Sequence, residues 1–229
     1  MIMSTEHRYF ALLTYGKRGL LRYLGHLDIV RVFDRAVRRA RLPVRYSEGF
    51  APRAQLSFPP PLPVGAEGLQ EMCALDLTVD LDAQKLHQAL APQLRAFGLS
   101  KVQVHRDMRG SIWSQLYASN YQALPDFADH ADASAIRSAI ETFADADEVT
   151  VERHTKRRIR AVNIRPHVYE LGLVGNMVTM RVGTTEETMV KPAEVLAALG
   201  EYLGFSGGTW RRLIRTAMHF RSTEIDLTL

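Results

Sequence analysis

Three side chains near the N-terminus could together carry out acid–base chemistry. Lys17, Tyr23 and His26 lie close together in the sequence, and all three can exchange protons. A metal-independent ribonuclease needs a base that takes the 2′-hydroxyl proton and an acid for the leaving oxygen, and His, Tyr and Lys can serve. The sequence therefore allows a catalytic site centred on His26. In the alternative interpretation, which we favour, His26 packs against a helix start and hydrogen-bonds a loop carbonyl.

Basic and aromatic side chains form a second, larger group that could contact RNA. Arginine matches phosphate oxygens in a bidentate way, and aromatic rings stack on unpaired bases. Up to Gly65 the chain has eleven Lys and Arg against four Asp and Glu, a balance of +7, whereas the whole chain carries +4. This local positive charge predicts an anionic partner, most simply RNA. The predicted RNA-binding residues are Arg22, Arg31, Arg35, Arg38, Arg39, Arg45, Tyr46, Phe50, Arg53, Arg158 and Arg160.

Two other interpretations of these residues stay open. A stripe of charge on a helix is commonly just its solvated face, and the aromatic residues could pack under the loop that carries them. The arginines could also meet the acidic surface of another protein, which would make the chain an interaction scaffold.

A predicted helix positions the arginines. Apolar residues at three- and four-residue steps from Leu27 to Ala40 predict a helix that begins near residue 25 and that Pro43 ends. Arg31, Arg35 and Arg38 follow at i, i+4 and i+7. They therefore share the face nearly opposite the apolar stripe.

A run rich in proline and glycine follows this helix, from Leu42 to Gly65. Its composition predicts an edge strand or a loop rather than a central strand. Within it, the setting of Gly49 predicts a turn with positive φ. Phe58 precedes three prolines, which favours packing, whereas Phe50 lies between Gly49 and Ala51 and is the better candidate for stacking on a base.

The order of predicted elements indicates the fold class. An apolar strand from Arg8 to Thr14 is followed by a turn at Tyr15 to Gly19, the helix, two strands, a second helix broken near Pro92, and a last strand. This is the βαββαβ order of the ferredoxin-like fold. The second half repeats the order with an extra strand or two. We therefore expect an α+β protein of two tandem ferredoxin-like (RRM-like) domains with antiparallel sheets, residues 1–107 and 111–229.

Composition narrows the other possibilities. Cys73 is the only cysteine, so the chain has no disulfide framework, thiolate zinc site or iron–sulfur cluster. We expect this thiol to be buried and inert. The scattered histidines and the lack of a phosphate-loop pattern predict no metal and no nucleotide cofactor. The absence of a long apolar run and of a signal peptide predicts a cytoplasmic protein without membrane contact.

One long motif runs through the basic region and continues weakly beyond it. It reads Gly19-Leu-Leu-Arg-Tyr-Leu-Gly-His-Leu-Asp28, Arg35-Ala-Val-Arg-Arg-Ala40, Leu42-Pro43, Tyr46-Ser-Glu-Gly-Phe50, Pro52-Arg53, Leu56-Ser-Phe58 and Pro61-Leu-Pro-Val-Gly65, then Asn163-Ile-Arg-Pro166 and Lys191-Pro-Ala-Glu-Val195. The motif resembles a bacterial family linked to radical SAM proteins, the domain of unknown function 2344. This resemblance implies a radical SAM protein as partner and a place in RNA metabolism. A single cysteine cannot ligate the radical SAM cluster, so the chain can only be an accessory part.

Together these features predict an RNA-binding accessory protein in tRNA or rRNA modification or processing. The alternatives are a metal-independent endoribonuclease and a protein-interaction scaffold. At the level of fold, the first alternative resembles the CRISPR RNA-processing enzymes, but their C-terminal glycine-rich loop is missing here. The segment from Phe205 to Trp210 is too short to replace it.

Overall fold

The computed structural model describes residues 8–106, 111–154 and 159–221, which fall into two compact units. The first unit contains residues 8–115, apart from 107–110, together with Arg221, and the second spans Leu116–Phe220. Within the described residues there are four α-helices, and the named strands pair antiparallel. The predicted α+β class is therefore confirmed.

The first unit is a small antiparallel sheet with two helices. Its elements are β1 (Tyr9–Lys17), α1 (His26–Arg39), β2 (Leu56–Ser57), β3 (Glu67–Leu77), α2 (Ala83–Leu90) and β4 (Lys101–Arg106). Strand β1 lies between β3 and β4, and the short β2 pairs with β3. The strand order in this unit is therefore β4-β1-β3-β2.

Helix α1 buries one face in the core of the first unit. Ile29, Phe33 and Val37 are buried, and the Phe33 ring lies 4.8 Å from Tyr15 and 5.4 Å from Phe97. The predicted apolar stripe was wrong at Leu27, which is 66% exposed. At 100° per residue Leu27 lies on the arginine side of the helix, so Ile29 takes its place in the core.

The segment before α1 differs from the prediction. The expected turn at Tyr15 to Gly19 is wrong, because β1 continues to Lys17 and a short 3₁₀ helix follows at Gly19–Tyr23. Pairing with β3 extends the strand: Tyr15 is opposite Glu71, and after a shift in register Lys17 is opposite Gly68. Lys17, which was expected at the tip of a turn, therefore lies inside the sheet.

The helix boundaries follow the expected signals. Helix α1 ends at Arg39, before Pro43. The predicted break near Pro92 is confirmed, because α2 stops at Leu90 and helical structure resumes only as a short 3₁₀ turn at Arg95–Phe97. Proline removes a backbone donor and clashes with the preceding turn, so a regular helix cannot pass through it.

The second unit has the same order of elements, with an inserted hairpin. Its elements are β5 (Leu116–Pro125), α3 (Ala133–Asp145), β6 (Thr150–His154), β7 (Ile159–Asn163), β8 (Val168–Val174), β9 (Met177–Gly183), α4 (Pro192–Tyr202) and β10 (Trp210–Phe220). Strand β5 lies between β10 and β9, and β8 pairs with β9. Strands β6 and β7 pair only with each other in the described residues, which confirms the extra strands expected in this half.

Candidate RNA-contact surface

One face of α1 presents arginines to solvent. Arg31, Arg35, Arg38 and Arg39 are all exposed, on the side of the helix opposite its buried residues. Arg31 forms a 3.3 Å ion pair with Asp28 one turn earlier. Arg35 and Arg39 make no hydrogen bond or ion pair within the described part of the chain. These two side chains are therefore available to an anionic partner.

Arg38 has a structural role, because its guanidinium already has partners. Its Nε lies 2.9 Å from Asp34 Oδ2, and its Nη2 donates to the carbonyl oxygen of Pro52. Its guanidinium also lies over the Tyr46 ring, 4.9 Å from the ring centre. This arginine fastens the following loop to the helix, and its predicted contact with phosphate stays a prediction.

The loop from Tyr46 to Ala54 is an insertion in the edge strand. Val44 and Leu56 both pair with β3, and Tyr46 pairs with Ala54 to close the loop between them. At its tip Gly49 has a φ of +114°, which confirms the predicted positive φ. Phe50 beside it is fully exposed. The loop thus exposes the Phe50 ring to solvent, and the Tyr46–Ala54 pair joins its two ends.

Asp34 is the second fastening of this loop. Its Oδ1 accepts a hydrogen bond from the Ala54 N–H at 2.9 Å, while Oδ2 contacts Arg38. Partial burial alone would raise the pKa of Asp34. The Arg38 and Ala54 hydrogen bonds and the charges of Arg38 and Arg53 outweigh that effect and lower it. The carboxylate is therefore held ionised in the folded protein.

Arg22 and Tyr23 also have local partners. Arg22 donates to the Tyr23 hydroxyl at 2.8 Å and lies 3.6 Å from Glu67. The Tyr23 hydrogen bond is the main reason why the pKa of Arg22 is raised. The Arg22 carbonyl accepts from the Gly65 N–H at 2.8 Å. These contacts tie the 3₁₀ helix to the end of the proline-rich run.

The remaining predicted contact residues differ in accessibility. Arg53 is exposed, and Arg45 is half-buried with its N–H bonded to the Asp76 carbonyl at 2.9 Å. Arg160 is exposed on β7, opposite Arg153. Arg158 lies outside the described residues. Their roles in RNA contact stay predictions.

Lys17 and His26 border a common small cavity, which Tyr23 does not line. The cavity measures about 20 Å³, room for one water molecule, and Tyr15 and Glu71 complete its polar lining. Lys17 is only 2% exposed, so its predicted position at an exposed turn is wrong. Strand β1 carries Lys17 inward instead. The sequence did not predict that Tyr15 and Glu71 line this cavity. The available signal for Glu71 was its charge at the start of an apolar run.

His26 is the first residue of α1 and packs against the proline-rich run at Phe58. Its ring meets the Phe58 ring edge to face at 5.4 Å, and Phe58 in turn lies 5.7 Å from Phe33. The expectation that Phe58 packs is therefore confirmed. His26 combines the packing role that we favoured with a place on the cavity wall, so the structure leaves both interpretations of it available.

The described residues contain neither a metal-binding cluster nor a membrane-spanning helix. No group of three or more His, Cys, Asp or Glu in the described ranges is arranged to hold a metal ion. None of the helices described here is long and apolar enough to cross a membrane.

The fold and the surface define a basic, mixed α+β protein, with a net charge of +4. The chain belongs to the bacterial family described as "Uncharacterized protein conserved in bacteria" (DUF2344), whose pattern matches residues 11–192. A search of curated proteins gave no match. Among solved structures, a chain of the "Crystal Structure of a Cbf5-Nop10-Gar1 Complex" matches with a TM-score of 0.51 and 16% identity. The match covers 91% of this chain and 48% of the other, about half its length, and it is a likeness of fold.

Proposed function

We propose that this protein is an RNA-binding accessory protein in tRNA or rRNA modification or processing, and that it acts with a radical SAM partner. The observation that carries the RNA proposal is a pair of arginines, Arg35 and Arg39, which are exposed on a packed helix and have no partner in the part of the chain that the structure describes. An exposed ring, Phe50, on the loop that the same helix fastens adds the stacking element that unpaired bases require.

The physical argument rests on the rigidity of this surface. A guanidinium that already has an ion-pair partner has part of its charge and of its donors engaged, whereas Arg35 and Arg39 have no such partner among the described residues. Their backbone is fixed, because the opposite face of α1 is buried in the core. Phosphate contacts supply affinity without base specificity, and stacking favours single-stranded RNA. We therefore assign single-stranded RNA as the partner of this surface.

We also infer that both units are ferredoxin-like domains, the first within residues 1–107 and the second within 111–229. The order β4-β1-β3-β2 in the first unit supports this inference. In the second unit, β10-β5-β9-β8 has the same order once the β6–β7 hairpin is set aside. Both units have a helix after their first and third main strands, as a βαββαβ repeat requires.

The test is a salt titration of RNA binding. Fluorescence anisotropy with a labelled single-stranded RNA gives the slope of log affinity against log salt concentration, which reports the number of phosphates contacted. Each lost phosphate contact lowers the slope by about 0.7 for single strands. Replacing both Arg35 and Arg39 by alanine should lower it by about 1.4. Replacing both by lysine should keep most of it, because charge sets this term.

The matched control removes two other exposed arginines. Arg95 and Arg137 are exposed and have no partner within the described residues. The Arg95→Ala/Arg137→Ala variant changes the net charge by the same amount but should leave the slope nearly intact. Equal slopes for the two double variants would show that the α1 face is not the RNA site.

The radical SAM partner is supported by the resemblance of the sequence motif alone. Size-exclusion chromatography with the purified partner, before and after ribonuclease treatment, tests it. Loss of the complex after ribonuclease would show that RNA bridges the two proteins. A one-to-one complex that persists without RNA favours the scaffold alternative, and no complex in either case contradicts the partnership.

A second candidate function is a metal-independent endoribonuclease that uses His26. This histidine is exposed at the start of α1 and could act as an acid or a base toward bound RNA, whereas Lys17 and Glu71 are buried beside it. Such an enzyme would cut RNA in EDTA and leave 2′,3′-cyclic phosphate ends. Replacing His26 by alanine would then slow cleavage by about 10²–10⁴. For an accessory protein we expect intact RNA in EDTA, with His26→Ala acting on stability or binding.

A further inference from the structure

The second unit contains a groove between β6 and α4 that is separate from the arginine surface. Its volume is about 700 Å³, within the range of ligand-binding pockets. All five residues of β6 line it, whereas none of the described residues of β7 does. The edge of β6 that faces away from β7 therefore opens into this groove.

The hydrogen-bond pattern of the hairpin leaves that edge unpaired. The Ile164 N–H donates to the Val149 carbonyl at 2.8 Å, which makes 149 and 164 a hydrogen-bonded pair. In an antiparallel ladder such pairs alternate, so the backbone groups of Thr150, Glu152 and His154 point away from β7. The described structure gives these three residues no backbone hydrogen bond outside the hairpin. Free N–H and C=O groups in a row are a template for another strand.

Helix α4 provides an open opposite wall. Ala193 and Ala197 line the groove with side chains too small to fill it. Arg153 fixes the strand to this helix, because its Nε and Nη2 each lie 2.8 Å from Glu194 carboxylate oxygens. The groove is therefore bordered by an unpaired strand edge on one side and a fixed helix face on the other.

The charge of the lining selects the occupant. Among the described residues, four glutamates line the groove, against one arginine and one lysine: Glu148, Glu152, Glu194 and Glu201, with Arg153 and Lys191. The ion pair with Arg153 neutralises Glu194. The remaining carboxylates give the described part of the lining a net negative charge, which favours a basic ligand over a nucleic acid.

We propose that the groove binds an extended, basic peptide segment of a partner protein, which adds as a third strand to the free edge of β6. Backbone hydrogen bonds to Thr150, Glu152 and His154 supply the pairing. The carboxylates of Glu148 and Glu201 favour lysine or arginine side chains. This is strand addition, in which the main chain gives affinity and the side chains give selectivity.

The experiment uses the full chain and a labelled, end-capped peptide of alternating lysine and valine, about ten residues long. A second peptide has the same sequence but carries N-methyl groups on every other residue, which removes the hydrogen bonds of one edge and keeps the charge. Fluorescence anisotropy should give at least about tenfold weaker binding for the methylated peptide, since several hydrogen bonds are lost. Hydrogen exchange should show that the unmethylated peptide protects the amides of Thr150, Glu152 and His154.

Two double variants test the selectivity for charge. Glu148→Gln/Glu201→Gln should weaken binding about fivefold, whereas Glu141→Gln/Glu186→Gln, at exposed positions outside the groove, should not change it. Equal binding of the two peptides, or equal losses in the two variants, would reduce the interaction to non-specific charge attraction and overturn the proposal. Protection of the same amides in a concentration-dependent dimer without peptide would assign the edge to a second copy of the chain and overturn it too.

Discussion

Replacing Asp34 by alanine should release the loop that carries Phe50 and destabilise the first unit. Asp34 Oδ1 is the acceptor for the Ala54 N–H at 2.9 Å, and Ala54 is only 8% exposed. Without the carboxylate this buried donor has no acceptor, which costs about 1–3 kcal/mol. We add no energy for the ion pair, because the Arg38 side chain is 44% exposed and water screens it. The expected loss is therefore about 2 kcal/mol.

The assay is urea unfolding of three variants, with hydrogen exchange at the Ala54 amide. Asp34→Asn keeps an oxygen for the Ala54 N–H and should cost less than about 1 kcal/mol. Asp28→Ala is the control, because within the described residues Asp28 pairs only with the exposed Arg31 in the same helix. A loss below about 0.5 kcal/mol for Asp34→Ala, or equal losses for the alanine and asparagine variants, would refute the reasoning.

Acidification should have the same effect as the substitution. The pKa of Asp34 is lower in the folded protein than in the unfolded chain. In the unfolded chain an aspartate titrates at about 3.9. Its contribution to stability is therefore fully present above that pH and is lost as the pH falls through the folded pKa. Wild-type protein should lose more stability than Asp34→Asn between about pH 5 and pH 2. Parallel stability curves for the two proteins would contradict this.

Three further outcomes follow from glycine and cysteine positions. Gly49→Ala should lower the free energy of unfolding by about 1 kcal/mol, because the φ of +114° is strained for alanine while its Cβ would meet no atom within 4 Å; an unchanged melting temperature would contradict this. Gly68→Ala should cost more and displace Glu71 from the cavity, since the new Cβ would lie 2.5 Å from Glu71 Cγ, and a crystal structure with Glu71 in place would show otherwise. Burial raises the pKa of the Cys73 thiol well above its ordinary value, so Cys73 should react with Ellman's reagent only after denaturant unfolds the protein, and rapid labelling of the folded chain would disprove its burial.

The sequence alone determined the parts of this protein that depend on local spacing. Periodic apolar residues gave α1 and its exposed arginines, because the 3.6-residue turn sorts side chains onto faces without any tertiary contact. Pro92 ended α2, and Gly49 took a positive φ, because both effects belong to a single residue's backbone. The order of strands and helices was readable for the same reason, and so was the isolation of Cys73.

Only the tertiary structure decided which side chains meet. The register of β1 against β3 puts Tyr15 opposite Glu71 and carries Lys17 into the sheet, and a shift by one residue would have turned each side chain to the other face. The hydrogen bond from Arg38 depends on the path of the following loop, which brings the Pro52 carbonyl, fourteen residues away, back to the helix. The edge of β6 forms one wall of a groove because α4, which is distant in the sequence, provides the other wall. Contacts between distant segments depend on how the whole chain packs, so spacing in the sequence cannot supply them.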